Sequence, residues 1–193
     1  MDLRQMLFRY RSYTPIPFLV LMVFFASPTA ASLGTGLVLV ALGEFLRLWG
    51  VAIAGSETRT TGAVGGTYLI TRGPFAYVRN PLYVGNMLLY VGVGVMSNAL
   101  FPWLTLVAFA YFFFQYSRIV SLEEEYLRTT FGEDFARYCA RVPRFFPALA
   151  AFDGGTHEQP EIDWRRGLAS ERRTFQAIGL ITLVLVAFWI WRG

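Results

Sequence analysis

The chain has 193 residues, 55% of them hydrophobic and only 16% charged, whereas an ordinary soluble domain carries roughly 25% charged residues. That balance excludes a typical soluble globular fold. The formal charge is +4 and all seventeen basic residues are arginine, but their placement reads as membrane topology and headgroup contact, so no nucleic-acid partner is implied. A single cysteine, Cys139, and a single histidine, His157, exclude a disulfide framework and a metal site of the standard zinc type.

In chain order, five apolar runs approach the roughly 20 residues needed to cross about 30 Å of hydrocarbon. They cover 15–28, 33–54, 82–100, 102–120 and 175–191. The first is the shortest. Arg9 and Arg11 precede it and no small-residue cleavage site follows, so it reads as a retained anchor rather than a removed signal peptide. Span two contains Glu44 and Arg47, three residues apart and therefore able to pair on one helical face. Charges at that depth face the bundle, either tying helices together or lining a substrate cavity.

The links 27–32 and 97–102 carry no charge, whereas Arg4, Arg9 and Arg11, then Arg59, Arg72 and Arg79, then nine arginines from Arg118 to Arg173 fall between or before the spans. The positive-inside rule puts the amino terminus and both arginine-bearing segments in the cytoplasm and the carboxyl terminus outside. The expected fold is an all-α, polytopic membrane bundle of about five transmembrane helices with short cytoplasmic amphipathic helices. Three regions are expected: 1–61 with spans one and two, 62–147 as the core, and 148–193 as a polar linker and last span.

The first long cytoplasmic segment opens with a Gly/Thr-rich stretch, 55–68, suited to turns and close backbone approach but lacking the ending of a phosphate loop. It leads into Arg72-Gly73-Pro74-Phe75-Ala76-Tyr77-Val78-Arg79-Asn80-Pro81-Leu82-Tyr83-Val84-Gly85. Asn80 as N-cap and Pro81 at the first helical position predict that span three begins here. Its unpaired N–H groups and positive dipole end, beside Arg79, make an anion site, unless Arg79 only snorkels to headgroups among belt tyrosines.

Span four is followed by Ser121-Leu122-Glu123-Glu124-Glu125-Tyr126-Leu127. Capping and helix-dipole effects account for one or two of these acids. Three adjacent carboxylates at a membrane boundary suit a cationic ligand group. Next, Gly132 is expected to end one short helix and Glu133 and Asp134 to open another, with Phe135, Tyr138, Cys139 and Val142 on one face. Ala148 to Phe152 forms a short apolar link, His157 lies in a polar linker, and Trp164-Arg165-Arg166 and Arg172-Arg173 read as interfacial anchors.

Together these segments resemble the isoprenylcysteine carboxyl methyltransferase and phospholipid methyltransferase family of integral membrane enzymes. The likeness rests on Gly-Pro-Phe-x-x-x-Arg-Asn-Pro-x-Tyr-x-Gly from Gly73 to Gly85, on Glu123-Glu124-x-x-Leu127, and on Phe131-Gly132-x-x-Phe135-x-x-Tyr138 followed by Val142-Pro143. It covers about 62–147. Two positions depart from the pattern: Asn80 stands where His is frequent and Phe135 where Tyr is common. Asn cannot carry a proton at neutral pH, which puts a general-base role there in doubt.

The resemblance implies methyl transfer from S-adenosylmethionine, entering from the cytosol, to a lipophilic acceptor entering from the bilayer, either an isoprenylcysteine-like carboxylate or a lipid amine. Such a cofactor carries a carboxylate, an ammonium and a sulfonium. Arg79 and the start of span three suit the carboxylate and Glu123 or Glu124 the ammonium, while Tyr77, Tyr83 or Tyr138 suit the adenine or the sulfonium. Arg79 and Glu123 are then the catalytic candidates. Gly73, Tyr77, Asn80, Pro81, Tyr83, Gly85, Glu124 and Tyr138 are the cofactor-binding ones, with no metal. Alternatively Arg79 orients an acceptor carboxylate while one Glu serves the cofactor. A membrane reductase of related architecture and a non-catalytic scaffold or transporter centred on Glu44 and Arg47 are the competing readings; the chain lacks a dinucleotide fingerprint.

Overall fold

The computed structural model describes residues 2–55, 68–155 and 158–192. Most of the Gly/Thr-rich stretch and His157 lie outside the described residues. Among those described, the chain forms six α-helices and no strand: α1 Leu3–Tyr10, α2 Pro15–Phe24, α3 Ala30–Ala54, α4 Pro81–Ser97, α5 Trp103–Arg141 and α6 Trp164–Arg192. A single 3-10 turn, Gly73–Ala76, precedes α4. Helices α3, α5 and α6 are long and apolar enough to cross a membrane, and α2 and α4 are shorter apolar helices. This is an integral membrane helix bundle.

The expected spans differ in informative ways. α1 was not anticipated; Asp2 caps it by accepting from the Arg4 N–H, and Leu7 and Phe8 are buried. α2 has ten residues, about 15 Å of helix, half of what a crossing needs. α3 starts three residues earlier than the hydropathy run because Thr29 and Ser32 form a reciprocal capping box. α4 ends at Ser97 because Asn98 adopts a left-handed conformation and returns its N–H to Gly94 O and Val95 O. Ser27 and Asn98 then stitch the two uncharged turns together through three hydrogen bonds.

α3 and α4 pack most closely, along glycines seven residues apart. A Cβ on Gly36 would lie 2.4 Å from Gly92 O, and one on Gly43 would lie 2.7 Å from Gly85 O. Small residues on both helices let the backbones approach, the device membrane bundles use in place of hydrophobic attraction. The aromatic core beside this contact is built by Phe112, Tyr116, Tyr90, Phe18 and Tyr111, with Tyr90 stacked on Phe112 at 4.1 Å.

As expected, one helix ends at Gly132 (φ 49°, ψ −119°) and another follows it; the first is continuous with span four, so α5 runs 39 residues with a break at that glycine. The segment before the break is about 43 Å long at 1.5 Å per residue, more than the hydrocarbon thickness, so it carries Glu123 and Glu124 beyond the span. After the break, Phe135, Tyr138 and Val142 pack on Leu69, with Cys139 partly buried against them. α6 likewise begins at Trp164, eleven residues before the apolar run. Its first turns dock on α3: Asp163 N donates to Ala52 O, and Gly167 sits where a Cβ would meet the Ala52 Cβ at 3.1 Å.

Candidate active site

The segment before α4 is held from both sides. Gly73 has φ 61°, and a Cβ there would clash with Ile53 Cδ1 at 2.2 Å, so glycine is required for this turn to lie against α3. On its other side the chain after α5 returns alongside it: Arg79 N donates to Pro143 O, Ala148 N to Tyr77 O and Phe152 N to Ala76 O. Tyr138 closes the arrangement by donating its hydroxyl to Phe75 O at 2.6 Å.

At the centre is Glu124, buried and clamped by two arginines. Arg79 reaches its Oε1 through Nε at 3.1 Å and Nη2 at 3.0 Å, and Arg144 grips both oxygens, the shortest contact being Nη2 to Oε2 at 2.6 Å. Those hydrogen bonds hold the Arg144 guanidinium above its ordinary pKa. Arg79 Nη1 also donates to the carbonyls of Cys139 and Val142 at 3.1 and 2.6 Å, satisfying the end of α5. The sequence assigned Arg79 and Glu124 to opposite charges of a ligand; here they are paired with each other. Asn80 stands at the N-cap position, but its side chain makes no capping bond and donates through Nδ2 to Arg144 O at 3.2 Å.

At the preceding residue, Glu123 accepts the Tyr83 hydroxyl at 2.7 Å, and Tyr83 stacks on Tyr116 at 4.7 Å. Glu125 points outward to an exposed pair with Arg4. The three adjacent carboxylates thus have three different environments, because consecutive helical positions face different ways.

These groups open onto a cavity of about 650 Å³. Arg79, Asn80, Pro81, Tyr83, Glu123, Glu124 and Tyr138 line it, whereas Gly73, Tyr77 and Gly85 are not among its lining residues. Gly85 instead faces Gly43 across the α3–α4 contact, and Tyr77 is 38% exposed. The cavity also receives groups the sequence reading did not assign to it. Phe8 and Arg11 come from the amino-terminal segment, and Asn86, Tyr90, Tyr116, Glu171 and Arg173 come from α4, α5 and α6. Arg47, left between a structural and a cavity role, lines it and is paired with Glu171 at 2.6 Å and with Glu44 at 3.6 Å. Hydropathy placed Glu171 in a polar linker, and no local pattern marks it, because the apolar Trp164, Leu168 and Phe175 of that stretch are exposed.

Helix lengths and this cavity define a polytopic membrane protein with an ionisable, tyrosine-lined chamber enclosed by its helices. The chain belongs to the phospholipid methyltransferase family, whose profile matches residues 31–134, just over half of it. It is 35% identical over 120 residues to the cobalt-zinc-cadmium resistance protein of Cupriavidus metallidurans, covering 62% of this chain and 50% of that protein. It is 34% identical over 125 residues to the nickel-cobalt-cadmium resistance protein of Alcaligenes xylosoxydans xylosoxydans, covering 64% and 54% respectively. Against the protein-S-isoprenylcysteine O-methyltransferase B of Arabidopsis thaliana the identity is 32% over 116 residues, covering 58% and 57%. The chain spans about half the length of the curated relatives it matches. No solved structure matches it.

Proposed function

We propose that the protein transfers a methyl group from S-adenosylmethionine to a lipophilic acceptor that arrives from the bilayer. The observation that carries this reading is the convergence of Arg79, Asn80, Tyr83, Glu123, Glu124 and Tyr138, drawn from separate stretches of the chain, on one cavity. Family membership and relatives named as isoprenylcysteine O-methyltransferases support the same chemistry. A prenylated-cysteine carboxylate and a lipid amine are the acceptors that these names suggest.

The residues present fit such a cofactor. About 650 Å³ falls within the roughly 300 to 1,000 Å³ typical of sites for ligands of that size. The wall offers both charge signs and several aromatic faces, as a zwitterionic, sulfonium-bearing molecule requires. When bound, S-adenosylmethionine supplies an already activated methyl group. Glu123 and the hydroxyl oxygens of Tyr83 and Tyr138, which can still accept while donating to Glu123 and to Phe75 O, would hold its polar parts. Arg79 and Glu124 act as a pair: each neutralises the other, and together they fix the start of α4 against the end of α5. The protein's contribution is positioning and exclusion of water, with a base needed only for an acceptor that enters protonated. Arginine placement supports a cytoplasmic cofactor entrance, an internal amino terminus and an external carboxyl terminus.

The test is incubation of radiolabelled methyl donor with membranes containing or lacking the protein. Label appearing in a chloroform-soluble product only with the protein is the expected result. No protein-dependent label in lipid, prenyl or peptide fractions would refute the reading.

A further inference from the structure

Arg47 on α3, Asn86 on α4 and Glu171 on α6 meet on the cavity wall, in contacts that share no residue with the Glu124 clamp. Arg47 Nη1 donates to Asn86 Oδ1, and its Nη2 reaches Glu171 Oε2 at 2.6 Å; the Thr174 hydroxyl donates to the same oxygen at 2.7 Å. Behind the guanidinium, Glu44 stands 3.6 Å from Nε, and both its oxygens are buried with no hydrogen-bond partner among the described residues. Glu171 is 1% exposed.

Tying helices together is a weak reason for such a cluster. Each charge placed within a span costs roughly 2.5 to 3.5 kcal/mol on insertion scales, and buried ion pairs are often replaceable by apolar residues without loss of stability. This one also faces open space. Its charge sum is decisive: one arginine against Glu171 gives zero, and counting Glu44 as ionised gives minus one. In neither state is the sum positive. The other lining arginines lie outside this cluster: Arg79 shares Glu124 with Arg144, Arg11 lies over the Phe8 ring at 4.0 Å and acts on Glu123 and Tyr83, and Arg173 is exposed. An incoming carboxylate would lose its hydration without gaining an uncommitted cation, whereas Asn86 and the Tyr90 and Tyr116 hydroxyls offer neutral hydrogen bonds.

We propose that this part of the cavity wall is a subsite for the acceptor's head group, that it takes a polar head group without negative charge, and that Glu171 is the positioning residue that sets this preference. Glu171 does so by holding Arg47 and cancelling its charge. It lies on α6, beyond the 31–134 segment that carries the family resemblance, so the last helix completes the chamber. The word acceptor rests on the methyl-transfer reading; the head-group preference does not.

The experiment uses the detergent-purified full chain and three photoactivatable diazirine probes with one prenyl chain, ending in a hydroxyl, a primary amine or a carboxylate. Labelled α4 peptides are quantified by mass spectrometry. Wild type is expected to label with the alcohol and amine at least about tenfold more than with the carboxylate, well below the full effect of one unit charge a few ångström away. Glu171→Gln, which keeps the side chain's size but leaves Arg47 less compensated, is expected to raise the carboxylate-to-alcohol ratio by at least about tenfold, a change that lost packing alone does not produce. Equal or stronger labelling by the carboxylate in wild type overturns the proposal, as does a ratio unchanged within twofold in folded Glu171→Gln. If that variant does not fold, the wild-type ratio decides. Calorimetry with S-adenosylhomocysteine runs in parallel: absent binding with the preference intact removes the methyl-transfer reading and leaves the subsite standing.

Discussion

Replacing Glu124 by alanine removes the carboxylate that Arg79 and Arg144 share among the described residues. Glu124 and Arg79 have side chains only 7% and 11% exposed, the regime in which deleting one partner strands a charge and costs about 3 to 5 kcal/mol. Arg144, 44% exposed, regains water and adds little. Arg79 also keeps its bonds to the Cys139 and Val142 carbonyls, which favours the lower limit, about 3 kcal/mol. For a chain of this size that corresponds to a fall in Tm of about 6 to 12 °C. Glu125→Ala is the matched comparison: the same residue type one position along, 65% exposed and paired only with Arg4, and expected to cost less than about 1 kcal/mol. Thermal unfolding of the two variants in one detergent, followed by tryptophan fluorescence, is the assay. Equal shifts for Glu124→Ala and Glu125→Ala would refute the clamp.

Further variants probe other parts of the structure by the same melting measurement. Gly36→Ala places a Cβ 2.4 Å from Gly92 O and should cost about 1 to 3 kcal/mol, whereas Gly34→Ala, with nothing within 4 Å, should be neutral. Gly132→Ala meets no atom either, so its cost of about 1 to 3 kcal/mol comes from the backbone conformation alone. Tyr83→Phe removes a hydrogen bond to the Glu123 carboxylate and should cost about 1.5 to 3 kcal/mol, while weakening S-adenosylhomocysteine binding measured by calorimetry.

The bundle was legible because apolar run length and arginine placement are strong local signals, and Gly132 announced the break in α5. Legibility failed where capping, length or pairing across the fold decides. α1 is eight residues long, too short for periodicity to stand out. Asn80 is a favourable capping residue by type, yet the chain after α5 offers Arg144 O instead. The motif residues do gather at the cavity, but no sequence spacing reveals that Arg79 and Glu124, 45 residues apart, choose each other. Glu171 escaped notice for the same reason: its partner Arg47 lies 124 residues earlier.

On this reading one cavity, closed by helices from both ends of the chain, binds a sulfonium-bearing methyl donor. Isothermal titration of S-adenosylhomocysteine into purified protein tests it most directly. Saturable one-to-one binding is expected, weakened at least about tenfold, or 1.4 kcal/mol, by Glu123→Gln. No measurable binding to correctly folded wild-type protein would contradict it.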